Sequence, residues 1–159
     1  MDTTHRNRQG DTMRYPIFAV LMLAVAACSS VQTNQNGWIE PVDAIRAANN
    51  DPAYGVRGTF VLAVKAIGHK NGKTFLDSEA DYRDQRNLSI AIPDAVASDL
   101  ADRLGTSIAS LKGQTILVKG VARRIRIEFF DSQGRDSGKY YYQTHVGVTS
   151  ASQVQIRQN

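Results

Sequence analysis

The sequence predicts a mainly β domain: five strands forming a small barrel, one short helix ahead of the first strand and a second helix between the third and fourth. Three observations predict it. Several runs alternate apolar and polar residues with a period of two, the mark of half-buried strands. Turn residues, including an Asn-Gly pair, separate these runs at short intervals. Two other stretches carry helical spacing and sit between Pro and either Gly or Asn-Asp-Pro stop signals.

The leading helix is expected over Trp38 to Asn50, with Pro41 in its first turn and Val42, Ile45 and Ala48 at helical spacing. Asn49-Asn50-Asp51-Pro52 ends it. From Val56 the period changes to two: Val56, Gly58, Phe60, Leu62, Val64 and Ala66 share a face, opposite Arg57, Thr59 and Lys65. Gly68 to Gly72 is expected to turn through Asn71-Gly72 into a second strand over Lys73 to Asp77. After a charged loop from Ser78 to Arg86, Asn87 to Ile92 forms the third strand, with Leu88, Ile90 and Ile92 on one face. The second helix runs from Pro93 to Gly105, spacing Val96, Leu100 and Leu104 by four. Ser110 to Gly113 turns the chain into a long strand, Gln114 to Phe130, with a bulge or bend expected near Lys119-Gly120. Asp131 to Gly138 is a polar hairpin loop, and Lys139 to Ile156 holds the last strand or pair of strands.

This order of elements resembles the OB-fold, a five-stranded small barrel. The resemblance rests on the helix between strands three and four, and on Gly58 and Gly120, at positions where such barrels bend sharply. It also rests on Gly113 to Val121 and on the closing segments Val146-Gly147-Val148 and Val154-Gln155-Ile156. It spans Pro41 to Ile156, and the short leading helix is similar to that of small periplasmic OB-fold proteins of bacteria. The pattern carries no signature motif, so it transfers no functional residue.

Residues 1–27 read as a targeting segment. Pro16 to Ala27 is an uncharged apolar run preceded by Arg14. Its length falls short of the roughly 20 apolar residues that span a bilayer as a helix. It ends in Val25-Ala26-Ala27-Cys28-Ser29-Ser30, which resembles the lipobox of bacterial lipoproteins, and Cys28 is the only cysteine in the chain. The resemblance implies cleavage before Cys28, a diacylglycerol on its thiol and an acyl group on its freed amine. Each buried CH₂ adds about 0.8 kcal/mol, so two or more chains anchor stably where one does not. Ser29 after the cysteine, in place of Asp, implies the outer membrane, facing the periplasm. The polar stretch Met1 to Thr12 is unlike a signal, and Met13 is the expected start of the signal proper. Residues 28–37 read as the lipidated cysteine and a polar tether, and residues 38–159 as the domain.

A formal charge of +4 over 159 residues is too mild to imply nucleic acid by itself. A single cysteine excludes an intrachain disulfide and a cysteine-based metal site. Asp77, Glu79, Asp81 and Asp84 alternate as calcium ligands can. However, an EF-hand loop counted from Asp77 would need Gly where Tyr82 stands and Glu where Leu88 stands, and Arg83 and Arg86 interleave with the acids. A solvated loop is the better reading, and no metal or other cofactor is expected. No nucleophile elbow, zincin, phosphate-loop or dinucleotide pattern occurs, and His145 has no evident catalytic partner. The expectation is therefore a non-catalytic envelope module, anchored through Cys28, that binds a protein, peptide or glycan. Its expected ligand face comprises Arg123, Arg124, Arg126, Tyr140, Tyr141 and Tyr142. The same basic and aromatic residues suit an oligonucleotide, but an exported protein meets little of it. An envelope hydrolase using His145 or the acidic loop ranks third.

Overall fold

The computed structural model of the chain describes Met1 and residues 31–158. The targeting segment, Met13 and Cys28 lie outside the described residues. Among the described residues two helices, α1 (Pro41–Asn50) and α2 (Asp94–Leu104), accompany seven strands. These are β1 (Val56–Ala63), β2 (Ala66–Lys70), β3 (Lys73–Asp77), β4 (Leu88–Pro93), β5 (Thr115–Phe130), β6 (Asp136–Gly147) and β7 (Val154–Ile156). Short 3₁₀ turns at Ile108–Leu111 and Ala151–Gln153 lead into β5 and β7. Among the described residues no helix is long and apolar enough to cross a membrane.

The strands form one sheet in the order β1-β5-β6-β4-β3-β2, with β7 also on β5. All pairings are antiparallel except β4 with β6, where Ile90 lies opposite Val146. The expected five strands are thus seven, and the sheet is not closed into a barrel. The count rises partly because the first expected strand breaks at Val64-Lys65. There the backbone changes neighbours: Val64 bonds to Gly113 and Gln114 beside β5, at 2.8 and 2.9 Å, whereas Lys65 N donates to Asp77 O of β3 at 2.8 Å. The end strands β1 and β2 therefore meet end to end, not side by side. The other extra strand is β7, cut from β6 by the Ala151–Gln153 turn.

The alternation places Phe60, Leu62, Leu76, Leu88, Ile90 and Ile116 fully inside. At about 25 cal/mol per Å² of apolar area, each such side chain contributes about 1.5–3 kcal/mol to burial. The core face of α1 is the expected one at Ala48, with Ile45 half-buried, but not at Val42. Ala44 and Ala48 are buried while Val42 is exposed, because small side chains let the helix lie close on β1 and β5. At α2, Gly105 adopts φ +64° and ends the helix as expected. Asn71 and Gly72, both at positive φ, make the expected tight turn between β2 and β3.

The bulge expected near Lys119-Gly120 is absent. β1 pairs with β5 without interruption from Val56↔Ala122 to Ala63↔Thr115, and the register shifts instead between Glu128 and Phe130. The apolar residues change faces without the backbone slipping. Ile116, Val118 and Ala122 face inward, and Ile125, Ile127 and Phe129 take the opposite parity. Gly58 and Gly120 stand opposite each other and make room for their neighbours. A Cβ on Gly58 would lie 2.4 Å from Ile39 Cδ1, and one on Gly120 would lie 2.6 Å from Val146 Cγ1.

From Val31 onward the polar leader lies against the domain. Val31 packs on the core, Gln32 accepts from Arg46, and Asn34 Oδ1 accepts from the amides of Asn36 and Trp38.

Candidate functional site

β5 and β6 outrun the rest of the sheet. β1 leaves β5 at Ala122, and β4 reaches β6 only from Thr144 to Gly147. The stretch Arg123–Phe130 with Asp136–Gln143 is therefore a two-stranded ribbon, closed by an Asp131-to-Arg135 turn in which Asp131 N donates to Arg135 O. Asp131 also accepts from the Arg135 backbone and side chain, which holds its carboxyl below the usual range.

The six expected ligand-face residues all sit on this ribbon, but the structure divides them. Arg124, Arg126, Tyr140 and Tyr142 share one face, and Arg123 and Tyr141 share the other. The reason is parity: Tyr140-Tyr141-Tyr142 are consecutive, and successive side chains on a strand point opposite ways. On the first face Arg124 lies over the Tyr142 ring at 3.5 Å and Arg126 over the Tyr140 ring at 4.2 Å. The two rings meet edge to face at 5.6 Å. Glu128, 3.7 Å from Arg126, is the acid of this face. Arg124 Nε is the one buried side-chain nitrogen or oxygen without a partner among the described residues. On the second face Arg123 donates to Ala53 O, and Tyr141 packs on Phe129 at 5.3 Å. Tyr141 OH accepts from Gln143, and burial raises its pKa.

The ribbon faces the β2–β3 turn across a groove of about 340 Å³. Lys70, Asn71, Lys73 and Phe75 line one side; Arg126, Ile127, Glu128 and Phe130 line the other. Three cations and one acid rim an apolar floor. Sequence reading missed the β2–β3 half of this site. Its signal was Lys73-Thr74-Phe75-Leu76, where apolar residues occupy both parities: Leu76 is fully buried, and Phe75 faces the groove.

The acidic loop is held by its own bases. Arg83 pairs with Asp81 at 3.0 Å, Arg86 with Asp84 at 2.8 Å and Lys65 with Glu79 at 2.8 Å. The hydrogen bonds from Arg86 lower the Asp84 carboxyl to about 2, and those from Arg83 lower Asp81. No group of acids, histidines or cysteines among the described residues is arranged for a metal ion. Beneath the loop lies a buried polar hub. Asn87 Nδ2 donates to Asp77 Oδ1 (2.9 Å), Ser89 Oγ (3.0 Å) and Tyr82 O (3.3 Å). Its Oδ1 accepts from Glu79 N at 3.0 Å and from Ser78 Oγ at 3.4 Å.

Asp77, Ser89 and His145 stand in a row across β3, β4 and β6. The Ser89 hydroxyl donates to Asp77, however, and His145 Nε2 pairs with Gln143 Oε1 at 2.8 Å. Ser89 is only 2% exposed. The row lacks the serine–histidine hydrogen bond that activates a nucleophile. Burial depresses the His145 pKa; Asp77 partly opposes this and Lys73 adds to it.

No protein-family model matches the chain, and no curated protein matches it.

Proposed function

We propose that the chain is an envelope lipoprotein, acylated on Cys28 at the outer membrane and facing the periplasm, whose domain is a non-catalytic module for an anionic peptide, protein segment or glycan. The observation that carries the binding reading is the groove between the β2–β3 turn and the ribbon. Its Phe75, Ile127 and Phe130 offer apolar contact, and Lys70, Lys73 and Arg126 outnumber Glu128 at its rim. Aromatic floors with a few placed charges are the usual composition of small binding sites.

We also read the domain as OB-like. β1 and β2 count as one strand bent at Val64-Lys65, and β7 counts as an extension of β6. Then α2 follows strand three, and the last two strands include one parallel neighbour of strand three. The pairing of β4 with β6 and the change of neighbours at Val64-Lys65 support that reading.

Titration calorimetry of the full chain with octaglutamate, with an oligogalacturonate and with a neutral cello-oligosaccharide tests the binding. The acidic probes are expected to bind and the neutral one not. Lys70→Glu combined with Lys73→Glu should weaken binding at least tenfold. Unchanged affinity in that variant, or heat from none of the acidic probes, refutes the groove. For the anchor, intact-mass analysis after expression in a lipoprotein-processing host should show a diacylglyceryl adduct that Cys28→Ala abolishes. A mature mass without lipid refutes the anchor.

A further inference from the structure

The outer edge of β5 is an open template. At Ala122 the strand still has β1 on one edge, at Val56, and β6 on the other, at Val146. At Ile116 to Val118 it has β1 on the first edge and β7 on the second, so β6 and β7 share an edge. Arg157 N donates to Thr115 O from the β7 side at 2.9 Å. Residues two apart on a strand turn their backbone groups the same way. Odd-numbered residues of β5 therefore bond toward β7 and β6, and even-numbered residues toward β1. Beyond Ala122 there is no β1. The N–H and C=O groups of Arg124, Arg126 and Glu128 then face outward, with no backbone partner from another element among the described residues. This edge borders the groove, whose ribbon side is made of Arg126, Ile127, Glu128 and Phe130 of β5 and of no β6 residue.

We propose that this edge takes an added β-strand from a partner, running antiparallel to β5 as β1 does: an extended peptide segment with a basic residue followed by carboxylates two and four residues on. The inference rests on the binding reading of the groove and specifies its ligand. Backbone pairing gives such a strand its affinity, and side chains at alternate positions give it specificity. Arg124 and Arg126 repeat at the same spacing as alternate residues of a facing strand, about 6.6–6.8 Å. Facing Cβ atoms lie about 4.5–5.5 Å apart, within reach of a Glu side chain. Glu128 calls for the opposite charge at the position facing it. Stacking on Tyr142 and Tyr140 orients both guanidinium groups before any partner arrives. The same stacking disfavours a nucleic acid. Each ring has one face under an arginine and the pair stands edge to face at 76°, so it offers no parallel platform for successive bases.

The test uses the isotope-labelled full chain and the capped heptapeptide Thr-Lys-Thr-Glu-Thr-Glu-Thr. Its permutation Thr-Thr-Glu-Glu-Lys-Thr-Thr has the same composition without the alternation, and (dT)12 is the nucleic acid probe. The alternating peptide should bind at least tenfold more tightly than the permuted one, with hydrogen-exchange protection appearing at the amides of Arg124, Arg126 and Glu128. Arg126→Gln, at a half-exposed site, should weaken it about tenfold, and Glu128→Lys should reverse the preference at the position facing it. Folding of each variant is verified by its unchanged amide spectrum away from the ribbon. Equal binding of the two peptides, with perturbation at Lys70, Lys73 and Phe75 but no new protection on β5, would overturn strand addition while leaving the groove reading intact. No binding of either peptide, or tighter binding of (dT)12, overturns both.

Discussion

Replacing Asn87 by Ala tests the hub under the acidic loop. The side chain is 3% exposed and joins β3, β4 and the loop through five contacts. Its removal leaves Asp77 with Ser89, but the Ser78 hydroxyl and the Glu79 N–H each lose the acceptor they have among the described residues. A buried polar group left without a partner costs about 1–3 kcal/mol. Glu79 is only half-buried, so the sum for the two groups is about 2–4 kcal/mol. For a domain of this size each kcal/mol moves the midpoint by about 4 °C, and a drop of about 8–16 °C is expected. Asn87→Asp sharpens the test. It keeps the acceptor for Glu79 but sets a carboxylate 2.9 Å from Asp77 Oδ1 in place of a donor. That variant should fall furthest at pH 7 and recover toward the parent as acidification lets the two carboxylates share a proton. Gln85→Ala, on the exposed part of the same loop, is the control. Thermal unfolding followed by circular dichroism reads all three. An Asn87→Ala midpoint within about 2 °C of the parent, or an Asn87→Asp protein as stable as the parent at pH 7, refutes the hub.

Three further outcomes follow from named contacts. His145 has a folded pKa below its unfolded value near 6.5, so between the two the unfolded chain binds more protons. Its contribution to stability is complete above about pH 6.5 and is lost as pH falls through the folded value; the urea midpoint should decline from pH 7.5 to 5, and less so in His145→Gln. A decline identical in that variant assigns the dependence elsewhere. Gly120→Ala forces a Cβ to 2.6 Å from the buried, branched Val146 and should cost about 1–3 kcal/mol. Gly68→Ala, with nothing within 4 Å, should unfold at nearly the parent's denaturant concentration; equal losses in the two would show that the Gly120 contact is not tight. Neutralising Arg83 or Arg86 removes exposed pairs on the loop and should leave the unfolding midpoint close to the parent's; a large drop would show that these pairs, and not Asn87, hold the loop.

Local signals were legible wherever a single residue type dictates geometry. Asn71-Gly72 gave the turn, Pro93 and Gly105 bounded α2, and Leu88, Ile90 and Ile92 gave the inward face of β4. What was hidden depends on partners distant in the chain. Nothing local distinguishes Val64 from Lys65, and the break between β1 and β2 arises because their neighbours differ. Val42 is the more apolar choice for a helix contact, yet Ala44 is the residue buried beside Ala48 against β1 and β5. The ribbon's residues were visible as a charged and aromatic cluster, but the division between Tyr141 and its neighbours follows from register, and the Lys70–Phe75 half of the groove comes from a hairpin remote in sequence. Asn87 read as the first residue of a strand; its role exists only once Asp77, Ser78 and Ser89 surround it.

The parallel pairing of β4 with β6 also sets the order in which the molecule is built. β1 waits for β5, and β4 gains its second neighbour only when β6 is in place. The β2–β3–β4 meander and the β5–β6 hairpin are the two parts of the sheet whose pairings are local. Contacts between residues distant along the chain slow folding, because loop-closure entropy is lost before the contacts reward it. The pairings that join these two units, β4 with β6 and β1 with β5, are the ones that loop closure makes slow, so a chain that ends before β5 holds only the β2–β3–β4 meander, with β1 lacking its strand partner.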